Sequence, residues 1–150
     1  MTAWRRDGFE IDTALERLDL VAVHDFLAHH SDWAAGIPRD VVARALAGSL
    51  NFGLYDGGRQ IGLARVISDR ATFAYLLDVF VLEAWRGRGL GRWLIATVRS
   101  HPDLQGLRRW MLTTRDAGDY YRPFGFRELA HPEWLMEIVD REAYRRRAPG

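Results

Sequence analysis

The chain has no cysteine and no lysine. The first absence removes disulfides, thiolate metal sites and a cysteine nucleophile. The second removes the Gly-Lys-Ser/Thr ending of a nucleotide-triphosphate P-loop. Long apolar runs are also missing, so no stretch reads as a membrane span. The first eight residues (MTAWRRDG) lack the apolar core of a secretion signal. A cytoplasmic protein with no membrane partner is therefore expected. Excess charge is lacking too: Arg alone balances Asp and Glu to a net +1, which gives no bulk electrostatic attraction to nucleic acid. The five histidines show no metal-ligand spacing on a common element, so no metal is expected. His29-His30 reads as a solvated pair at a helix end.

What is present is 150 residues, 48% hydrophobic and 27% charged, the size and balance of one globular domain over 1–150. The stretch that organises it runs from Tyr75 to Ser100. Tyr75 to Leu82 is apolar, β-branched and aromatic, as in a buried strand. Arg86-Gly87-Arg88-Gly89-Leu90-Gly91 is a loop of Gly and Arg. Leu90, Leu94, Ile95 and Val98 then recur at helical spacing. A strand, a glycine loop and a helix start aim unpaired N–H groups and the positive end of a helix dipole at an anion. Gly89 and Gly91 let a ligand lie against bare backbone. Arg86, Arg88 and Arg92 add positive charge that is expected to be mobile. The stretch reads as a phosphate or pyrophosphate cradle. The dinucleotide pattern G-x-G-x-x-G fails, because Arg92 and Leu94 stand where its last glycine would fall.

On either side of the cradle, further elements are legible. Trp4 to Asp12 is a first strand. A helix spans Leu20 to Ala28, and a second has Pro38 in its first turn and runs until Gly48. Strands cover Ser49 to Tyr55, Gln60 to Ser68 and Ala71 to Leu82, the first two joined by Asp56-Gly57-Gly58. Trp110 to Thr114 is a strand. Asp116 to Phe124 is a short helix cut by Pro123. Phe126 to Leu129 and Leu135 to Val139 are final strands, and 140–150 is a polar tail. A helix between the cradle strand and Trp110–Thr114 implies a parallel crossover beside an antiparallel meander.

A second motif ends the short helix. Tyr120-Tyr121-Arg122-Pro123-Phe124-Gly125-Phe126 contains Tyr-x-x-x-Gly-Phe. Helix termination explains Gly125 and core packing explains Phe126; neither explains the tyrosine one turn earlier. Arg86-x-x-Gly89-x-Gly91 after a strand, with Tyr121-x-x-x-Gly125-Phe126 further on, resembles the GNAT family of N-acetyltransferases. The resemblance covers about residues 50 to 130. It implies the acyl-CoA N-acyltransferase fold: α/β (α+β), a mixed, mostly antiparallel sheet with a parallel, splayed strand pair, and helices on both faces. It implies acetyl-CoA as co-substrate, held by Phe80, Val81 and Arg86, Gly87, Arg88, Gly89, Leu90, Gly91 and Arg92. It also implies an amine acceptor and a possible homodimer. Many relatives carry an Asn at the start of the second short helix; here Thr114 or Asp116 would have to take its place.

Without a cysteine, and without a Gly-x-Ser-x-Gly elbow, direct attack by the acceptor nitrogen is expected. A strand N–H near Phe80 or Val81 would meet the developing oxyanion. Tyr121, carried over from the family, would protonate the leaving thiolate. Asp78, on the cradle strand, reads equally as base or as structural residue, since Asp in a strand needs a reason. Glu83 reads as a cap of the cradle loop. Trp33 and Tyr75 are candidates to stack on the acceptor, although packing explains aromatic residues as well. The rival reading is an acyl-CoA-binding module without catalysis.

Overall fold

The computed structural model describes residues 3–147. Six strands form one sheet in sequence order: β1 (Ala3–Arg6), β2 (Phe9–Asp12), β3 (Leu50–Asp56), β4 (Arg59–Ser68), β5 (Phe73–Val81) and β6 (Arg109–Leu112). The first five are antiparallel to their neighbours, and β5 and β6 are parallel. The helices are α1 (Leu20–His30), α2 (Arg39–Ala47), α3 (Leu90–Ser100), α4 (Gly118–Tyr121) and α5 (Ala143–Arg147).

Helices cover both faces. On one face α3 presses Leu90, Leu94, Ile95 and Val98 onto Ile11, Phe52, Leu54, Ile61, Val66 and Leu76. On the other, α1 and α2 bury Val23, Phe26, Leu27, Val42 and Leu46 against Leu63 and Phe80. Each such aliphatic side chain contributes about 1.5–3 kcal/mol by leaving water. The 3.6-residue spacing of α3 fixes which of its faces is buried, and α3 is also the crossover that makes β5 and β6 parallel.

Two expectations are corrected. Trp4 to Asp12 is a hairpin, not one strand. Asp7 and Gly8 both take positive φ, 52° and 85°, which is the mirror-image two-residue turn that Asp-Gly favours. Second, Phe126 to Leu129 and Leu135 to Val139 join no strand among the described residues. A short strand gains nothing without a neighbour to pair with, and among the described residues none meets them. Smaller differences lie at element ends: α1 runs on to His30, and the short helix starts at Gly118 and tightens to a 3-10 turn over Arg122–Phe124. The polar tail contains α5; residues 148–150 lie outside the described residues.

Candidate active site

Two departures from regular strand geometry open the site. Strand β6 accompanies β5 only from Phe73↔Arg109 to Leu76↔Leu112. Past Leu76 the two strands part, and among the described residues no strand pairs with the rest of β5 on that side. Within the same stretch β5 carries a bulge: Leu63 pairs with Phe80 but Arg65 pairs with Leu77. Asp78 and Val79 thus share one place opposite Ala64, and Asp78 adopts φ 53°. A bulge of this kind bends the strand and re-aims the residues beyond it. Close approach on the opposite side holds the strand down: a Cβ at Gly62 would sit 2.6 Å from the Phe80 carbonyl oxygen.

The cradle is joined to β5 through a 3-10 turn, Glu83–Trp85. Glu83 makes no side-chain cap there; its carbonyl accepts from the Arg86 N–H at 3.1 Å as part of the turn itself. Trp85 is fixed by its Nε1–H, which donates to Asp56 Oδ2 at 2.9 Å, and by the Arg59 guanidinium 4.7 Å above its ring. Gly87 and Gly89 take φ 80° and 76°, and Arg88 between them does not. Such alternation turns successive N–H groups to one side. Among the described residues, no acceptor in the chain meets the N–H of Gly87, Arg88, Gly89, Leu90, Gly91 or Arg92; the ladder of α3 begins with Trp93 donating to Gly89. The amides therefore have no partner within the described chain. Arg86 is less mobile than expected, because its Nε–H donates to the Val81 carbonyl at 2.8 Å. Arg88 and Arg92 remain exposed.

These groups line a cavity of about 520 Å³. Its walls hold Phe80 and Val81 from β5, Arg86 to Arg92 without Arg88, Trp33 and His30 from the α1 side, and Tyr120 and Tyr121. A larger cavity, about 1000 Å³, lies between β6, α4 and the segment after Gly125, and holds Tyr75, Thr113 and Thr114. Tyr121 is the one residue that lines both. Burial, and to a lesser degree the neighbouring Tyr120, push its hydroxyl up to about 12, so it is a neutral proton donor across the physiological range.

Asp78 is fully engaged. Its Oδ2 accepts from Arg65 Nε at 2.7 Å and its Oδ1 from Trp33 Nε1 at 2.8 Å; Arg65 also donates to Ser49 Oγ at 3.0 Å. The two expected site residues Asp78 and Trp33 thus hold each other. Trp33 and Tyr75 do not share a cavity, and the Tyr75 hydroxyl is bonded to Thr113 Oγ1. Thr114 is occupied as well, its Oγ1 accepting from the Ala117 N–H at 3.0 Å in the loop before α4.

Sequence reasoning missed five wall residues, Val79, Trp85 and the three that follow. Phe26 stacks on Phe80 with ring centres 4.0 Å apart and seats α1 over β5. His30 lines the cradle cavity instead of facing only solvent. The Tyr120 hydroxyl lies against Gly91, where an added Cβ would collide with it. Burial raises its pKa, and the Arg92 charge pulls it partly back. Only the last carried a signal, since Tyr120 adjoins the motif tyrosine.

A sheet splayed between parallel strands, with unpaired amides at the strand-to-helix turn, is the kind of site that takes an anionic ligand. The model of the acetyltransferase (GNAT) domain family matches residues 48–128, and the chain belongs to that family. A protein of Gibberella zeae, provisionally named an acetyltransferase, is 34% identical over 135 residues, 75% of each chain. A crystal structure from Xanthomonas campestris, provisionally named an acetyltransferase of the GNAT family, is 46% identical with a TM-score of 0.90, over 93% of this chain and 99% of that one. A provisionally named acetyltransferase from Deinococcus radiodurans has a TM-score of 0.70 at 21% identity over 95% of each chain, a likeness of fold alone.

Proposed function

We propose that this acetyltransferase takes acetyl-CoA as its co-substrate and transfers the acetyl group to a primary amine of a small molecule or peptide in the cytoplasm, with no nucleic acid, membrane or metal involved. The observation that carries this reading is the run of unpaired amides from Gly87 to Arg92 on a cavity that reaches Tyr121. Free helix-start amides and a positive dipole suit a diphosphate, and the unpaired side of β5 suits the amide-bearing arm attached to it.

In the proposed reaction the amine nitrogen attacks the thioester carbonyl within a ternary complex. The carbon–nitrogen bond forms, charge collects on the carbonyl oxygen, and the carbon–sulfur bond breaks. An N–H of Phe80 or Val81 stabilises that oxygen. Tyr121 gives its hydroxyl proton to the departing thiolate. The surplus proton on nitrogen leaves through water. Asp78 is assigned a positioning role, because both its oxygens are engaged and a base would first have to release Trp33 or Arg65. Holding both reactants in line can supply several kcal/mol of the barrier.

The test is release of free CoA thiol from acetyl-CoA across a panel of amines. An amine-dependent release, lowered about 10²-fold in kcat by Tyr121→Phe with CoA affinity kept, is the expected result. CoA binding with no release on any amine would favour a binding module instead.

A further inference from the structure

His29 and His30 end α1 side by side, and the fold sends them to different places. His29 meets the ring of His24, with centres 6.1 Å apart, and His24 Nε2 lies 3.0 Å from the Ile37 carbonyl oxygen. His30 instead stands on the wall of the cradle cavity. Helical spacing explains the difference. His30 comes four residues after Phe26, so the two share one face of α1. Phe26 stacks on Phe80 at 4.0 Å, and its ring centre is 6.1 Å from that of His30. The face that carries His30 is thus the one that seats α1 over the strand where the thioester arm would run.

The chemistry of the walls is one-sided. No carboxylate lines this cavity, and its ionisable side chains are Arg86, Arg92, Tyr120, Tyr121 and His30. Asp78 is engaged by Arg65 and Trp33. A guanidinium gives up no proton at any working pH, and burial keeps both phenols protonated. What is left is an imidazole, the side chain suited to exchange protons near neutrality. Its surroundings suit a passing charge. Asp25 Oδ2 is 3.6 Å from His30 Nε2, near enough to balance a cation and too far to form a hydrogen bond with the ring. His30 is the last residue of α1, where the helix dipole favours positive charge. Its side chain is 61% exposed, so a proton taken up on the cavity side has a way out to solvent.

We infer that His30 accepts the surplus proton of the acceptor nitrogen, by way of the water that carries it off, and passes it to bulk solvent. The inference rests on the acetyl-transfer reading given above. As the carbon–nitrogen bond forms, an N–H bond of the amine breaks and its electron pair stays on nitrogen. The water takes that proton while giving one of its own to the imidazole lone pair. Tyr121 protonates the sulfur and recovers a proton from solvent, and His30 returns one there. One amine and one thioester thus give one amide and one thiol.

The test measures thiol release from acetyl-CoA across acid to alkaline pH, with the fastest amine of a panel of alkylamines, aralkylamines, amino acids and short peptides. The unaltered enzyme is expected to lose kcat toward acid pH, as the ring takes up its proton. His30→Gln is expected to lower kcat about 10²-fold, to leave the KM for acetyl-CoA unchanged, and to abolish the acid limb. Added imidazole is expected to restore part of kcat to His30→Ala and to do nothing for the unaltered enzyme. This rescue is read within one preparation, so it still reports if a variant is partly unfolded. Release that keeps its acid limb in His30→Gln, or a His30→Ala enzyme that imidazole fails to restore, would overturn the inference and leave the acetyl-transfer reading standing. No release by the unaltered enzyme on any amine would overturn both.

Discussion

At the scale of single residues, position and environment divide the roles of two neighbouring phenols. Tyr120 rests on Gly91 at the cradle, whereas Tyr121 stands where the two cavities meet. The raised pKa of Tyr121 has a definite sign. An ordinary phenol in the unfolded chain ionises near 10, and the buried one near 12. Stability linked to this burial is intact below about pH 10 and is lost as pH rises from there toward 12. A denaturant midpoint that falls over that window, and falls less in Tyr121→Phe, is expected. Tyr55, also raised to about 12 by burial, and Tyr120, raised by burial as well, carry the remainder. Asp78 gives a separate test. Its side chain and that of Arg65 are 9% and 13% exposed, and leaving one buried charge without its partner costs about 3 kcal/mol or more. Asn tolerates the left-handed backbone found there. Asp78→Asn is therefore expected to lower the urea midpoint and to raise the acceptor KM, with the pH profile of kcat unmoved. A pH profile shifted with stability intact would restore the base assignment.

At the scale of elements, what was legible depended on whether the neighbours in sequence were also the neighbours in space. Helix α3 matched its expected ends, Leu90 and Ser100, because its apolar spacing and the glycines before it are local signals. The β3–β4 hairpin was equally plain from Asp56-Gly57-Gly58. Asp7-Gly8 held the same kind of signal but was read through, since Phe9 and Ile11 alternate as a continuing strand would. The segment 126–139 was misjudged for a different reason. Its composition is right for strands, but composition does not supply an edge to pair with. At the site, the cradle amides were legible because Gly and helix start are adjacent in the chain. The Asp78–Trp33 bond spans 45 residues, and the bulge that makes it possible shows only in the pairing of β5 with β4. The cradle itself yields one more expectation. Gly89 holds φ 76°, where a Cβ costs about 1–2 kcal/mol. Gly89→Ala should lower stability by that amount and weaken CoA binding further, because the amides no longer converge; calorimetric titration with CoA reads the second effect.

At the scale of the whole molecule, ligand binding and folding are coupled. A ligand at about a hundred times its Kd stabilises the native state by about 2.7 kcal/mol, which for a chain of this size is a rise of roughly 5–10 °C in Tm. CoA is expected to give such a shift, and Gly89→Ala to reduce it at the same CoA concentration. No helix among the described residues is long and apolar enough to cross a membrane. The two cores instead clamp a single sheet from either side, so a push on one face is felt on the other. The stack of Phe26 on Phe80 carries that contact from α1 to the strand beside the cradle.

The indole of Trp33 is tethered to the one kinked residue of the strand along which the thioester arm would run. Anything that stiffens the kink thereby stiffens the loop over the cavity mouth, and the reverse holds with equal strength, since coupling between two occupants is reciprocal. Slower amide exchange over 31–37 once CoA is bound, abolished by Trp33→Phe, is the signature of such crosstalk. By the same reciprocity, a ligand held beneath Trp33 is expected to tighten CoA binding in its turn.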